Sequence, residues 1–560
     1  MKRQRIGRAL AGLDQWDDEH LVGQLFSVAS GGHAAKDIMG FGAVDPQRAH
    51  ALLLDDIQHY HLGGIVYFPP GGTHEPVADI RATVLALQAA AEVPLLVATD
   101  QENGTVARVR NGATHLPGAM ALGATADPQL WYDTTVASAE ELRAVGIFQT
   151  YAPVADLNIT SANPSIGVRS AGADTEAACR QIDTVVRALR DHGVAATLKH
   201  FPGYGTAAVD PHLGLPSIPL GRQEWVESER RVFAAGVRAG ADAVMIAHIL
   251  FPAVDPDLPA TFSPTILRTE LRDKLGFEGI LVTDAMDMGG AVHPDGPAQA
   301  CVAALAAGAD QILMPGNLPE AYEAVLTALR EGRLDRDELR ASARRILQVK
   351  LHLGLDEPDM PDLSVCNSAP HRDLATRAAR ASMAWRDADR ARPFDPVGGD
   401  ILLVVPGPDP VRRGADPATV IGPALGGTGR RVIVESWEQV AGTSPEGDPQ
   451  GWDIPAGVQD ALIVLRDAWK EDLPVTRFLR ALAERGVGAR VLITRSPHDA
   501  TLVPRACPTL LTYGDNEFAL DAAADVLLGR SGATAGLPMP VTDAESTTDA
   551  ESTTDGGRHP

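Results

Sequence analysis

The sequence predicts an α/β protein: a (β/α)8 TIM-type barrel followed by a smaller α/β sandwich domain. Three observations predict it. Eight short, β-rich apolar runs recur within the first 355 residues, separated by longer stretches of helical character. Five further runs follow between residues 400 and 532. Several runs of the first half also end on a charged or imidazole side chain, and barrel strands carry active sites at that end.

The first eight runs are LVGQLFSVA (21–29), GGIVYF (63–68), PLLVATD (94–100), IFQTYAPVADL (147–157), VAATLKH (194–200), AVMIAHI (243–249), ILVTDA (280–285) and QILMP (311–315). Between them, QLWYDTTVASAEELRAVG and EAACRQIDTVVRALRDHG space apolar residues helically and end on a glycine suited to a helix terminus. An open, doubly wound sheet is the alternative for the same alternation. The rhythm assigns residues 1–355 to the barrel. A linker carrying the helix-like HRDLATRAARASMAW spans 356–399. The runs ILLVV (401–405), RVIVES (431–436), ALIVLR (461–466), RVLITR (490–495) and TLLTY (509–513) form the second domain, 400–532. Residues 533–560 hold TDAEST twice in succession and no apolar core, so they read as a disordered acidic tail.

A chain of 560 residues with 45% hydrophobic and 22% charged residues can bury large cores. Its formal net charge of −24 excludes a nucleic-acid partner, which basic side chains would have to bind. The basic start MKRQRIGRALAGLDQWDDEH lacks the apolar centre of a signal peptide, and no run is long enough to cross a membrane. The expected location is therefore cytoplasmic. Cys179, Cys301, Cys366 and Cys507 lie far apart with no CxxC pair, which predicts free thiols in a reducing compartment. No metal-ligand spacing or cofactor motif stands out. GPALGGTGRR (422–431) is glycine-rich but is not a Walker A loop.

Chemistry concentrates at the strand ends: Asp100, Lys199, His200, His248 and Asp284 would share one rim of a barrel. Asp284, in VTDAMDM, is either a helix cap or a reacting carboxylate. In ATDQENGTVARV, Asp100 could accept from paired hydroxyls and Arg108 could donate a fork of N–H groups. Arg169 lies in the loop SANPSIGVRSAG. In KHFPGYGTAAVDPH, Asp210 stands two residues before His212. A carboxylate so placed could fix the imidazole tautomer and leave the other nitrogen for proton transfer. An Asx turn beside an exposed histidine has the same sequence.

With these residues assembled, the barrel half resembles glycoside hydrolase family 3, in its bacterial β-N-acetylglucosaminidase branch. The resemblance rests on KHFPGYGTAAVDPHLGLP (199–216) and LVTDAMDM (281–288), supported by DQENGTVARV, NPSIGVRS and AHILFP. It implies a retaining exo-β-N-acetylglucosaminidase acting through a covalent glycosyl-aspartate. Asp284 would be the nucleophile, and His212 with Asp210 the acid/base. Asp100, Arg108, Arg169, Lys199 and His200 would hold the terminal sugar. The substrate would be a small N-acetylglucosamine glycoside, from cell-wall recycling (muropeptides) or from chitooligosaccharides, with no cofactor. The family usually has Gly at Asn103, Arg at Thr105, His at Tyr204 and Ser or Thr at Pro211. Three other functions compete. A phosphorylase would pass the glycosyl group to inorganic phosphate, which a histidine acid/base repels less than a carboxylate would. A Schiff-base aldolase would use Lys199 as an amine. A sugar-binding protein would need no reacting pair.

Overall fold

The computed structural model describes residues 4–30, 46–69, 75–160, 163, 165–207, 214–407, 414–442, 454–471 and 473–541. Asp210, Pro211, His212 and the TDAEST repeats lie outside the described residues. The chain divides into two compact units, one of Met1–Thr114 with Pro128–Arg372, the other of His115–Asp127 with Asp373–Pro560.

The first unit is built on eight parallel strands: β1 (Phe26–Ala29), β2 (Gly64–Val66), β3 (Leu96–Thr99), β4 (Gln149–Thr150), β5 (Ala195–Phe201), β6 (Ala243–Ile246), β7 (Ile280–Thr283) and β8 (Ile312–Leu313). Seven lie inside their apolar runs, and β5 extends one residue, Phe201, past VAATLKH. The strands neighbour one another in chain order, and β8 also pairs with β1. A parallel bridge between Val282 and Gln311, with Thr283 N–H donating to Gln311 C=O at 3.0 Å, joins β7 to β8. The sheet therefore closes, and the TIM-type barrel displaces the open-sheet alternative. Every residue of these strands except His200 is buried, because helices cover one face and barrel side chains fill the other. That is why the strands read as continuous apolar runs.

The covering helices follow their local signals. The helix Thr175–Asp191 starts where the Asp174 carboxylate accepts from Ala177 N–H at 2.7 Å. It buries Ala178, Ile182, Val186 and Leu189 on one face, and Gly193 follows it at φ 68.

The second unit holds a six-stranded sheet of β9 (Ala384–Trp385), β10 (Asp400–Val405), β11 (Val432–Ser436), β12 (Val458–Leu465), β13 (Gly488–Ile493) and β14 (Thr509–Leu511). Its order is β9-β14-β13-β12-β10-β11, parallel throughout except for β9 against β14. Helices Pro417–Gly426, Val475–Glu484 and Glu517–Leu527 flank it. In GPALGGTGRR, Gly422 lies inside the first of these helices, and Gly426 and Gly427 close it instead of opening one, so they form no phosphate loop. The unit boundary falls within the helix Ala369–Ser382, inside the segment 356–399. A short barrel-half segment also belongs here. Its helix Ala119–Thr125 is anchored by Asn516 donating to His115 C=O at 2.8 Å and Gly536 N–H to Ala124 C=O at 3.2 Å. Among the described residues, no helix is long and apolar enough to cross a membrane.

Candidate active site

Parallel strands bring all their C-terminal ends to one rim, so Asp100 after β3, Lys199 and His200 in β5, and Asp284 after β7 share a face. Asp156 follows β4 on the same rim. A small hairpin, Gln101–Asn103 against Val106–Ala107, carries Glu102 and leads into Arg108. Its turn needs left-handed backbone at Asn103 (φ 67) and Gly104 (φ 59), and asparagine tolerates that region. The family's usual second glycine is therefore replaced without loss of the turn.

Two buried polar clusters form from these residues. In the first, Lys199 Nζ lies 2.8 Å from Asp100 Oδ1 and 2.5 Å from Glu102 Oε1. Arg169 grips Glu102 with two bonds of 2.8 Å, from Nε and from a terminal nitrogen. Arg108 stands 3.7 Å from Asp100 and packs its guanidinium over the Phe68 ring at 4.9 Å. Burial alone would raise both carboxyl pKa values. Lys199 and Arg108 outweigh it at Asp100, and Arg169 and Lys199 outweigh it at Glu102, so both are held below the ordinary range. Burial would lower Lys199, but Asp100 and Glu102 raise it. A buried, paired ammonium is no amine nucleophile, which removes the aldolase reading.

The second cluster surrounds Asp156, which is 2% exposed. Its Oδ1 accepts from Tyr204 N–H at 2.8 Å, and His200 Nδ1 lies 2.7 Å from Oδ2. Nδ1–H therefore donates to Asp156 and leaves Nε2 as the free nitrogen of a partly exposed ring. Below it, fully buried Glu229 accepts from Gly205 N–H at 2.8 Å. A Cβ at Gly203, whose φ is 126, would collide with the Glu229 carboxylate, and one at Gly205 with Leu157 C=O. Trp225 Nε1 donates to Pro202 C=O at 2.7 Å. Further along the chain, Ile218 N–H donates to Leu250 C=O and Leu250 N–H to Pro216 C=O, both at 2.9 Å. The described residues on either side of Asp210 and His212 are thus bonded to the barrel.

Asp284 is bound differently. It is half-buried, and its Oδ1 accepts from Ala285 N–H at 2.8 Å. His248, also on the rim, is spent on structure: Nε2 meets Ala285 C=O at 3.0 Å and Nδ1 meets Thr261 Oγ1 at 2.7 Å. Burial lowers its pKa, so the neutral ring steadies the backbone beside Asp284. Beyond Asp284 a cavity of about 670 Å³ opens between the ends of β1, β7 and β8, lined by Met286, Met288, His293, Met314 and Asn317. Strand-end position also marks Asp156, but the sequence reading did not single it out. Glu229 starts a helix on the barrel's outside, and no sequence signal reveals it.

Residues 19–349 match the family described as glycosyl hydrolase family 3 N terminal domain. A β-N-acetylglucosaminidase/β-glucosidase of Cellulomonas fimi is 28% identical over 84% of this chain and 87% of its own length. A β-hexosaminidase of Stenotrophomonas maltophilia (strain R551-3) is 37% identical over 52% of this chain and 90% of its own. Among solved structures, a family 3 β-N-acetylglucosaminidase from Paenibacillus sp. str. FPU-7 superposes with a TM-score of 0.83 at 30% identity, covering 94% of this chain and 99% of that one.

Proposed function

The chain belongs to glycosyl hydrolase family 3, and from that premise we propose that this glycoside hydrolase is a retaining exo-β-N-acetylglucosaminidase. The observation that carries the mechanism is how differently the rim carboxylates are bound. Asp100 and Glu102 are tied into ion pairs, and Asp156 is buried against His200 and Tyr204. Asp284 is half-buried with one backbone N–H on Oδ1, two residues before Met286, which lines the open cavity. Strong pairing lowers nucleophilicity, so Asp284 is the group left able to attack.

Asp284 adds to the anomeric carbon as the glycosidic C–O bond breaks, while His212 gives its proton to the leaving oxygen. His212, held by Asp210, then takes a proton from water as that water displaces Asp284. Asp100 and Arg108 meet sugar hydroxyls, Lys199 and Arg169 fix the carboxylates around them, and His200 offers Nε2. The relatives named for N-acetylglucosaminides or hexosaminides support the sugar. Chitooligosaccharides and cell-wall muropeptides are the natural substrates that follow, in a cytoplasmic setting.

Asp284→Ala should lower turnover of an aryl β-N-acetylglucosaminide by about 10³-fold or more. Near-normal turnover by that variant would remove Asp284 as nucleophile. Free N-acetylglucosamine should be the product with or without phosphate. A phosphate-dependent rate with sugar-1-phosphate as product would make the enzyme a phosphorylase.

A further inference from the structure

The opposite end of the barrel carries a second group of chemically capable side chains. His20 lies in the helix Asp18–Gly23 just before β1, His61 just before β2 and Glu92 just before β3. Parallel strands bring these N-terminal ends together, away from the catalytic rim. The His20 and His61 rings stack with centroids 3.7 Å apart and planes 21° apart. Glu92 Oε2 lies 3.5 Å from His20 Nε2 and 4.0 Å from His61 Nδ1. Ligand-capable atoms of the three side chains all fall within 4.8 Å of one another. They line a cavity of about 260 Å³ with Trp16, Gln24 and Gln58.

The surroundings prepare two of these atoms for a ligand. The Asp17 carboxylate, which caps the His20 helix, also lies 2.7 Å from His20 Nδ1. Nδ1–H donates to it, so the lone pair is on Nε2, facing Glu92. Two acceptors then face each other beside a stacked imidazole, and a cation would satisfy both. His61 holds φ 51, an uncommon conformation for histidine, and its C=O accepts from Gln24 Nε2 at 2.9 Å. The Glu92 side is tied by Arg5 donating to Ala91 C=O at 2.9 Å. Ligands on a tetrahedral zinc with bonds of about 2.0–2.1 Å stand roughly 3.3 Å apart. The two gaps to Glu92 exceed this by tenths of an ångström, which its exposed side chain can close, and the imidazole ligand atoms lie within 4.8 Å of each other.

We infer that His20, His61 and Glu92 form a divalent transition-metal site, with zinc as its best-matched occupant. Two imidazoles and one carboxylate favour zinc over magnesium or calcium, and three protein ligands leave a position for water. The metal would clasp the segments that lead into β1, β2 and β3. It stands at the end of the barrel remote from Asp284, so it stabilises the fold and takes no part in glycoside cleavage.

The test is titration of the chelator-treated full chain with zinc chloride, beside His20→Gln and His61→Asn, the latter because asparagine tolerates the left-handed backbone. Wild type should take up one more equivalent than either variant and melt higher with zinc, with kcat unchanged. Asp17→Asn should keep the stoichiometry and bind about 10–100-fold more weakly. Cobalt in place of zinc should show visible bands of a four-coordinate ion in wild type alone. Equal stoichiometry in wild type and variants, or no uptake by wild type, would overturn the inference and leave a histidine pair that holds a proton only.

Discussion

Glu229 shows how one side chain can tie the catalytic loop to pH. Burial first, and the nearby Asp156 second, push its carboxyl up to about 8, so it is a neutral acid at pH 7. Its folded value lies above the ordinary 4.5, so its contribution to stability is full below that value and lost as pH rises through about 8. Glu229→Gln keeps the shape and the acceptor for Gly205 N–H but cannot ionise. The variant should therefore gain melting temperature over wild type at pH 9 relative to the difference at pH 6. Its kcat/KM should also fall less steeply above pH 8, because the loop start stays neutral. Equal melting differences at both pH values would remove Glu229 as the titrating group. At this scale the sequence revealed the rim residues, since a strand end fixes where a side chain emerges. It did not reveal their partners. Lys199 reads as a sugar-gripping cation, yet in the fold it meets Asp100 at the end of β3 and Glu102 in the hairpin that follows, about a hundred residues away.

The helix Arg336–His352 packs beside the N-terminal segments of the barrel and shows the same logic at the level of an element. Asp335 caps it by accepting from Asp337 N–H at 2.8 Å and Glu338 N–H at 3.0 Å. Near its other end, fully buried Lys350 donates to Gln24 Oε1 at 2.8 Å. Burial lowers its pKa to about 7 from 10.5, and the folded state therefore pays for protonation below pH 7. That penalty shrinks as pH rises from about 7 towards 10.5, where the unfolded chain also loses its proton. Lys350→Met should thus raise melting temperature more at pH 6 than at pH 9. The difference between the two pH values is the signal, because the unpartnered Gln24 carbonyl costs about 1–3 kcal/mol at both. A pH-independent shift would mean that Lys350 keeps its ordinary pKa and stays charged in the fold across this range. Elements of this kind were legible in outline. All eight barrel strands coincide with the apolar runs, β5 running one residue past its own, because burial on both faces demands such runs. β9 was not, since two residues leave no periodicity and Ala384–Trp385 continues a helical pattern.

On the scale of the whole molecule, sequence order and spatial unit part company at one place. Residues His115–Asp127 lie between barrel segments in the chain but belong to the second unit. Their helix buries Met120, Ala121, Leu122 and Ala124, each 5% exposed or less. No local pattern signals this, because a helix's apolar face does not say which core it joins. A chain ended at Arg372 would keep this segment and lose its anchors at Asn516 and Gly536. Exposing Met120 and Leu122 would each forfeit about 1.5–3 kcal/mol of burial and leave an apolar patch. The truncated chain should therefore self-associate and melt below the full chain, and Met120→Ser with Leu122→Ser should restore its solubility. Size-exclusion chromatography with thermal melting makes the comparison. A monomeric chain of residues 1–372 that melts with the full-length protein would show that the segment does not depend on the second unit.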